Sequence, residues 1–153
     1  MAKFVFQFEA LLTTRRNTEE QRQRELGEVM RKRTDMLTEL STIQSTIRQS
    51  KTELSDALTG RVDMTRVGQF ARYSASSSAR AMAVVSKLAQ VEREVEAARQ
   101  RLLQSVKERK AIELLKKRRL EEFKQQAERV EAEALDEMAV QRHARGKLNE
   151  VQT

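Results

Sequence analysis

Apolar residues recur along the chain at alternating steps of three and four residues, and no proline interrupts them. This spacing places a narrow apolar stripe on one side of a helix, the seam through which two helices of a coiled coil pack. One series consists of Val5, Phe8, Leu12, Leu26, Val29, Met36, Leu40, Ile43, Ile47, Leu54 and Ala57. A second consists of Ala81, Val84, Leu88, Val91, Val95, Ala98, Leu102 and Ile112. The pattern predicts an all-α fold: two long helices forming a rod-shaped, antiparallel coiled-coil hairpin in a single domain, residues 1–153.

Helix one is predicted from about residue 3 to residue 58. Gly60 can end it, because glycine tolerates the left-handed backbone conformation that is common just past a helix. The corner is predicted over about residues 59–79, with Asp63 as an N-cap. Within it, residues 74–78 are expected to form a weak or kinked link, because their four serines are poor helix formers.

Helix two is predicted from about residue 79 to residue 145, with Gly146 at its end and a frayed tail over residues 146–153. Ile112 is followed by its next clear seam residue, Leu120, eight positions later, where four would be regular. An insertion of four residues is a stutter, which locally unwinds the supercoil. Beyond it the predicted seam continues through Phe123, Ala127, Val130 and Ala134.

The two predicted helices differ in length. A hairpin folded near residue 63 brings the start of helix one opposite residues 120–125. It therefore leaves about 20 residues of helix two without a helical partner. The seam of helix one is also interrupted by polar residues, namely Arg15, Glu19, Arg22, Arg33 and Ser50. Packing at such positions is either loose or completed by another partner.

Composition argues against an enzyme. The chain has 153 residues, of which 35% are charged and 4% aromatic, and it contains no cysteine. It therefore has no thiol nucleophile and no thiolate metal site. His143 is the only histidine, and a metal needs several converging ligands, so we expect it on the surface. No glycine-rich phosphate loop is present. We predict no catalytic, cofactor or metal site.

Charge leaves two alternatives open. The net charge of +7 can reflect solvated helix faces or attraction to an acidic partner such as nucleic acid. The basic residues of 107–119 are followed directly by an acidic stretch over 121–137, which argues against DNA binding. A purely structural homodimer, whose seam pairs between chains, is a further alternative. No apolar run is long enough to span a membrane, so we expect a cytoplasmic protein.

Three stretches resemble the flagellar FliJ family. The first is Phe6–Leu12 with Arg15, Arg16, Glu19 and Glu20. The second runs from Lys107–Lys110 through Leu114, Lys117, Leu120, Glu122 and Phe123. The third is Leu135–Ala139, which contains a Leu-Asp-Glu motif. The chain departs from the family at Ser74–Ser78, where larger side chains are usual.

The resemblance implies a non-catalytic component of the flagellar protein-export apparatus. Such a protein is a coiled-coil stalk that binds the hexameric export ATPase ring and promotes its assembly and activity. It also contacts the membrane export gate protein and the export chaperones, at the cytoplasmic face of the inner membrane. We expect a monomer when it is free. Carried over by motif, the ATPase-facing residues are Phe8, Leu11, Leu12, Arg15, Arg16, Leu114, Lys117, Arg118, Leu120, Phe123, Leu135, Asp136 and Glu137.

Overall fold

The computed structural model describes residues 3–150, and the side chains of residues 3–143. Two helices occupy almost all of this range: α1, Glu9–Ala57, and α2, Met64–Glu150. No β-strand occurs among the residues described. The predicted all-α fold of two long helices is confirmed.

Helix α1 begins later than the periodicity predicts. Residues 3–8 lie outside any helix. The backbone N–H of Leu12 donates to the carbonyl of Phe8 across 3.0 Å, and Glu9 places a carboxylate in the first turn, where the helix dipole favours negative charge. The prediction that Val5 and Phe8 belong to the seam is wrong. Both are exposed, Val5 by 80%, because a helical period does not apply to residues before the helix starts.

The corner consists of residues 58–63 and is much shorter than the predicted 59–79. Gly60 has a φ of 109°, which confirms its predicted place just past the end of α1. The N–H of Thr65 donates to Oδ1 of Asp63 across 2.9 Å, so Asp63 caps the N-terminus of α2 as predicted.

Helix α2 runs straight through the serine-rich stretch 74–78. The prediction of a weak link there, with helix two starting at residue 79, is wrong. Ser74 and Ser77 are half-buried at the three- and four-residue spacing of the seam, so packing against α1 outweighs their low helix propensity.

The predicted end of helix two is also wrong, because α2 continues through Gly146 to Glu150. A glycine inside a helix costs about 1 kcal/mol, which good helix formers on either side can offset. The predicted frayed tail over 146–153 therefore begins with helical backbone, and its last three residues lie outside the described residues.

The chain divides into two compact units. The terminal unit contains residues 3–17 and 107–150, and the corner unit contains residues 18–106. The single domain expected from the sequence stays a prediction.

In the corner unit the two helices pair antiparallel. Arg33 on α1 bonds to Glu92 on α2, and Glu39, further along α1, bonds to Arg80, earlier on α2. The predicted seam is confirmed there, since its apolar residues are buried or half-buried. The buried residues of this unit are Ile43, Val84, Val91, Val95, Ala98 and Ser105.

The polar residues at seam positions of the corner unit are partly buried, as seam residues are. Glu19, Arg22, Arg33 and Ser50 are all half-buried. Arg22 pairs with Glu25 on the same helix across 2.8 Å, and Arg33 pairs across the seam. Ion pairs therefore occupy two of the places where apolar contacts are missing.

Candidate functional site

Three ion pairs hold the start of α1 against α2 in the terminal unit. Lys116 Nζ lies 2.6 Å from Glu9 Oε2. Arg15 pairs with Glu108 across 2.5 Å, and Arg16 with Glu113 across 3.0 Å. Both arginines follow Glu9 on α1 and both of their partners precede Lys116 on α2, so the pairing is antiparallel here as well. Leu12 lies among these pairs and has an exposed fraction of 0%, which makes it the packing centre of this unit.

Residues 3–8, which we call the N-terminal strap, lie along α2 without forming a helix. The ring of Phe4 contacts the ring of Phe123, with centroids 5.6 Å apart. Phe6 is buried, and the ammonium of Lys116 lies 5.9 Å from the centre of its ring, within the range of a cation–π interaction. The strap and α2 line a solvent-open cavity of about 600 Å³, whose lining includes Arg119, Glu122, Phe123 and Gln126.

The stutter predicted in helix two is visible in the burial pattern of α2. The half-buried residues on this face include Ile112, Lys116, Leu120 and Phe123. Two successive steps of four residues separate the first three of them, as a four-residue insertion requires. Lys116 fills the inserted seam position, and its charge is met by Glu9 and the Phe6 ring.

Past Phe123, α2 has no cover in the terminal unit. Every side chain from residue 124 to residue 143, which we call the exposed segment, is exposed. Apolar side chains are among them: Val130, Leu135, Met138 and Val140 have exposed fractions of 49 to 68%. The overhang predicted from the difference in helix length is therefore confirmed. Phe4, near the predicted start of helix one, does meet Phe123, but α1 itself begins at Glu9, opposite Lys116.

The residues carried over from the family motifs all lie in the terminal unit, but they differ in accessibility. The exposed ones are Phe8, Leu11, Arg16, Leu114, Lys117, Arg118, Leu135, Asp136 and Glu137. Arg15, Leu120 and Phe123 are half-buried. Leu12 is completely buried, so its side chain packs beneath this surface and is not part of it.

The residues carried over by motif do not include Phe4, Phe6 and Lys116, which the structure adds to this site. The phenylalanines lie before the start of α1, although the sequence predicts helix one from residue 3. Lys116 carried a usable signal, because it lies four residues from both Ile112 and Leu120. A stutter makes that position part of the seam even when its residue is charged.

The electrostatics of the site centre on Glu113. Its Oε1 accepts a hydrogen bond from Arg16 across 3.0 Å, and its Oε2 accepts one from Arg109 across 2.6 Å. The bond from Arg16 is the largest cause of a pKa below the usual value of Glu113. The carboxylate is therefore charged at neutral pH and links the two helices.

Among the side chains described, no group of three or more His, Asp or Glu residues is arranged to hold a metal ion. No helix in the described range is long and apolar enough to cross a membrane. His143 is exposed.

These features define an all-α class of protein: two paired helices with an aromatic strap and an uncovered helix end. The model of the family described as "Flagellar FliJ protein" matches residues 4–148, nearly the whole chain. The chain belongs to the FliJ family, and it is a component of the flagellar export apparatus. The family resemblance seen in its motifs is thus confirmed. Comparison with curated proteins and with solved structures finds no match.

Proposed function

We propose that this protein is a non-catalytic stalk that binds the hexameric flagellar export ATPase through its terminal unit and promotes assembly and activity of the ring. In this role it also links the ring to the membrane export gate and to the export chaperones. It works at the cytoplasmic face of the inner membrane. Membership of the FliJ family over residues 4–148 supports the proposal.

The observation that carries the ATPase-binding role is the exposed segment. A helix without tertiary packing is only marginally stable in water, and most helical stability comes from covering an apolar face. The seam of α2 continues past Phe123 through Ala127, Val130 and Ala134, yet all three are exposed. A partner that packs on this seam buries apolar surface of both proteins, which stabilises the complex and the helix of the exposed segment.

The mechanism we propose is differential binding. A ligand shifts an equilibrium only by the difference between its affinities for the two states. A stalk seated within a ring touches several subunits at once, whereas a free subunit offers it one surface. Tighter binding to the assembled ring therefore raises the population of hexamer.

Lys117 and Arg118 complete the proposed surface on the α2 side. Both are exposed, close in sequence to the exposed Leu114 and to Glu121 and Glu122. Mixed charge around a few apolar side chains favours a specific protein contact, because charges of both signs set the orientation of the partner.

The nucleic-acid alternative has less support. Several basic residues of 107–119 are engaged by carboxylates: Arg109 by Glu113, Lys116 by Glu9, and Arg119 by Glu122. A DNA-binding face needs these charges directed at phosphates. Retention on duplex DNA at about 50 mM salt, lost steeply as salt rises, would favour that alternative.

The test of the proposed function is the ATPase activity of the export ATPase from the same organism, with and without this protein. The mass of the ATPase particle is measured in parallel. We expect stimulation together with hexamer formation. A folded, helical preparation that neither stimulates the ATPase nor forms a complex with it contradicts the proposal.

A further inference from the structure

The N-terminal strap lies at the place where the seam of α2 leaves α1. Within the terminal unit, α1 reaches along α2 as far as the Glu9–Lys116 pair. The strap then contacts α2 as far as Phe123 and Gln126. Beyond that point the seam is exposed. A partner that adds to the exposed segment along the same seam therefore meets the strap at Phe123.

The strap is held on α2 by side chains. Its backbone carbonyls at Phe6 and Phe8 accept hydrogen bonds from Glu9 and Leu12, which tie it to the start of α1. Its contacts with α2 include the Phe4–Phe123 ring pair and the Phe6–Lys116 interaction. Phe6 is buried, whereas Val5 is exposed. Four of its six residues are exposed, and helix ends and short non-helical segments open at low free-energy cost. The strap and Glu9, the first residue of α1, can therefore leave α2 together while the rest of the two helices stays paired.

We infer that the strap is a displaceable occupant of a binding site on α2, and that a segment of the partner takes its place. The site is formed by Lys116, Arg119 and Phe123. The displacing segment has the chemistry of the strap together with Glu9: two aromatic side chains followed by a carboxylate. That this segment belongs to the export ATPase rests on the proposed function. The binding site on α2 and the chemistry of its ligand do not rest on it.

The chemistry follows from the groups on α2 that the strap and Glu9 satisfy. Lys116 is half-buried and is met by the Glu9 carboxylate and the Phe6 ring. A segment that displaced both groups without replacing them would leave that ammonium poorly solvated, at a cost to its own affinity. Phe123 in turn needs an aromatic or apolar cover. A ligand carrying aromatics and a carboxylate meets both requirements.

Displacement also lengthens the surface open to the partner. With the strap in place the uncovered seam runs over residues 124–143. Once the strap and Glu9 have left α2, the seam is open from Lys116 to residue 143, about four heptads. The partner gains the Leu120 and Phe123 positions, which are larger than the alanines further along the seam.

The first experiment uses a peptide with the sequence of residues 3–9, Lys-Phe-Val-Phe-Gln-Phe-Glu, added to the full-length protein. A double variant, Phe4→Ser with Phe6→Ser, releases the strap. The matched control, Val5→Ser with Gln7→Ser, changes exposed strap residues and leaves both aromatic contacts. Binding is measured from amide chemical shifts of residues 116–126. Circular dichroism checks that each variant is helical.

We expect the peptide to bind the released variant at least about 10-fold more tightly than the wild type or the control, because the tethered strap competes at a high effective concentration. Lys116→Ala in the released background should weaken binding by about 10-fold, since it removes the charge that meets the carboxylate. Equal binding to released variant and control, or binding to neither, overturns the inference.

The second experiment links the site to the ATPase. The chain has no cysteine, so Val5→Cys with Gln126→Cys introduces one unique pair, on two residues that line the same cavity. A short, cleavable thiol cross-linker then fixes the strap to α2. A matched pair, Arg33→Cys with Glu92→Cys, cross-links the helices of the corner unit, where the native side chains bond across 2.5 Å.

We expect the cross-linked strap to lose ATPase stimulation and to regain it on cleavage, while the cross-linked corner unit stimulates fully. Stimulation by the cross-linked strap at the level of its cleaved form overturns the inference and leaves the proposed function standing. If the wild type itself gives no stimulation, the proposed function fails, and the peptide experiment decides the binding site alone.

Discussion

Arg33 of α1 donates a hydrogen bond from Nε to Oε1 of Glu92 on α2 across 2.5 Å, at a seam position where the heptad pattern expects an apolar side chain. Both side chains remain partly exposed, by 37% and 46%. The guanidinium can therefore keep part of its hydration while its stem packs on the seam. A polar seam residue here marks a cross-helix ion pair, and not a gap awaiting a partner.

Replacing this ion pair by an apolar contact should stabilise the hairpin. Partly exposed ion pairs contribute about 0–1 kcal/mol, whereas full burial of a leucine side chain contributes about 1.5–3 kcal/mol and partial burial at this half-buried position a share of that. We expect Arg33→Leu to raise the melting temperature in circular dichroism. Arg31→Leu, on the exposed face two residues away, should not. A lower melting temperature for Arg33→Leu alone would show that the pair contributes more than its exposure suggests.

Leu12 and Leu11 are sequence neighbours in opposite environments. The side chain of Leu12 is completely buried, and that of Leu11 is 38% exposed. Leu12→Ala should reduce the free energy of unfolding by about 2–5 kcal/mol, because it leaves a cavity at the packing centre of the terminal unit. Leu11→Ala should cost under about 1 kcal/mol. Urea unfolding, with hydrogen exchange over residues 9–16, measures both. Equal losses would contradict the burial difference.

Two glycines should respond oppositely to alanine. Gly60 has a φ of 109°, which an L-residue adopts at a cost of about 1–2 kcal/mol, so Gly60→Ala should destabilise the corner. Gly27 is inside α1, and a β-carbon there meets nothing within 4 Å. Gly27→Ala should therefore stabilise the protein by about 1 kcal/mol. Thermal unfolding of the two variants checks the signs, and a shared direction refutes this account.

The Arg16–Glu113 pair should make the terminal unit sensitive to acid. Because its pKa lies below the usual value of 4.5, the Glu113 carboxylate stabilises the fold above that value, and the contribution is lost as pH falls through the folded pKa. Arg16→Gln should raise the pKa of Glu113. The same substitution should leave the pKa of Glu25 unchanged, because that pKa is lowered mainly by the hydrogen bond from Arg22. Carbon-detected NMR titration of the two carboxyl groups tests this, and a parallel rise at Glu25 would mean a nonlocal effect.

The exposed basic residues of the proposed surface should matter for the ATPase and not for folding. The double variant Lys117→Glu with Arg118→Glu should reduce ATPase stimulation by at least about 10-fold, as expected for reversed charges at an interface. Its helicity should stay at the wild-type level. Lys87→Glu with Arg93→Glu, also exposed on α2 but in the corner unit, is the matched control. Full stimulation by the first variant would remove these two residues from the surface.

The apolar seam residues of the corner unit, from Leu26 to Ala57 and from Ala81 to Leu102, were predictable because heptad spacing is a property of amino-acid type alone. The same holds for Asp63 and Gly60, whose roles depend on their own side chain or on the lack of one. The exposed segment followed from unequal helix lengths and antiparallel geometry. Nothing in that argument required knowledge of distant contacts.

What only the tertiary structure decided involves residues far apart in sequence. Phe6 is buried because Lys116 and the surrounding face of α2 receive it, and no local pattern at the chain start encodes that surface. Ser74 and Ser77 stay helical because α1 packs against them. The heptad periodicity of apolar residues predicts only the repeating helix–helix contacts of the fold. Strap positions, seam ion pairs and helix ends depend on the free energy of contacts that exist only after the helices have paired.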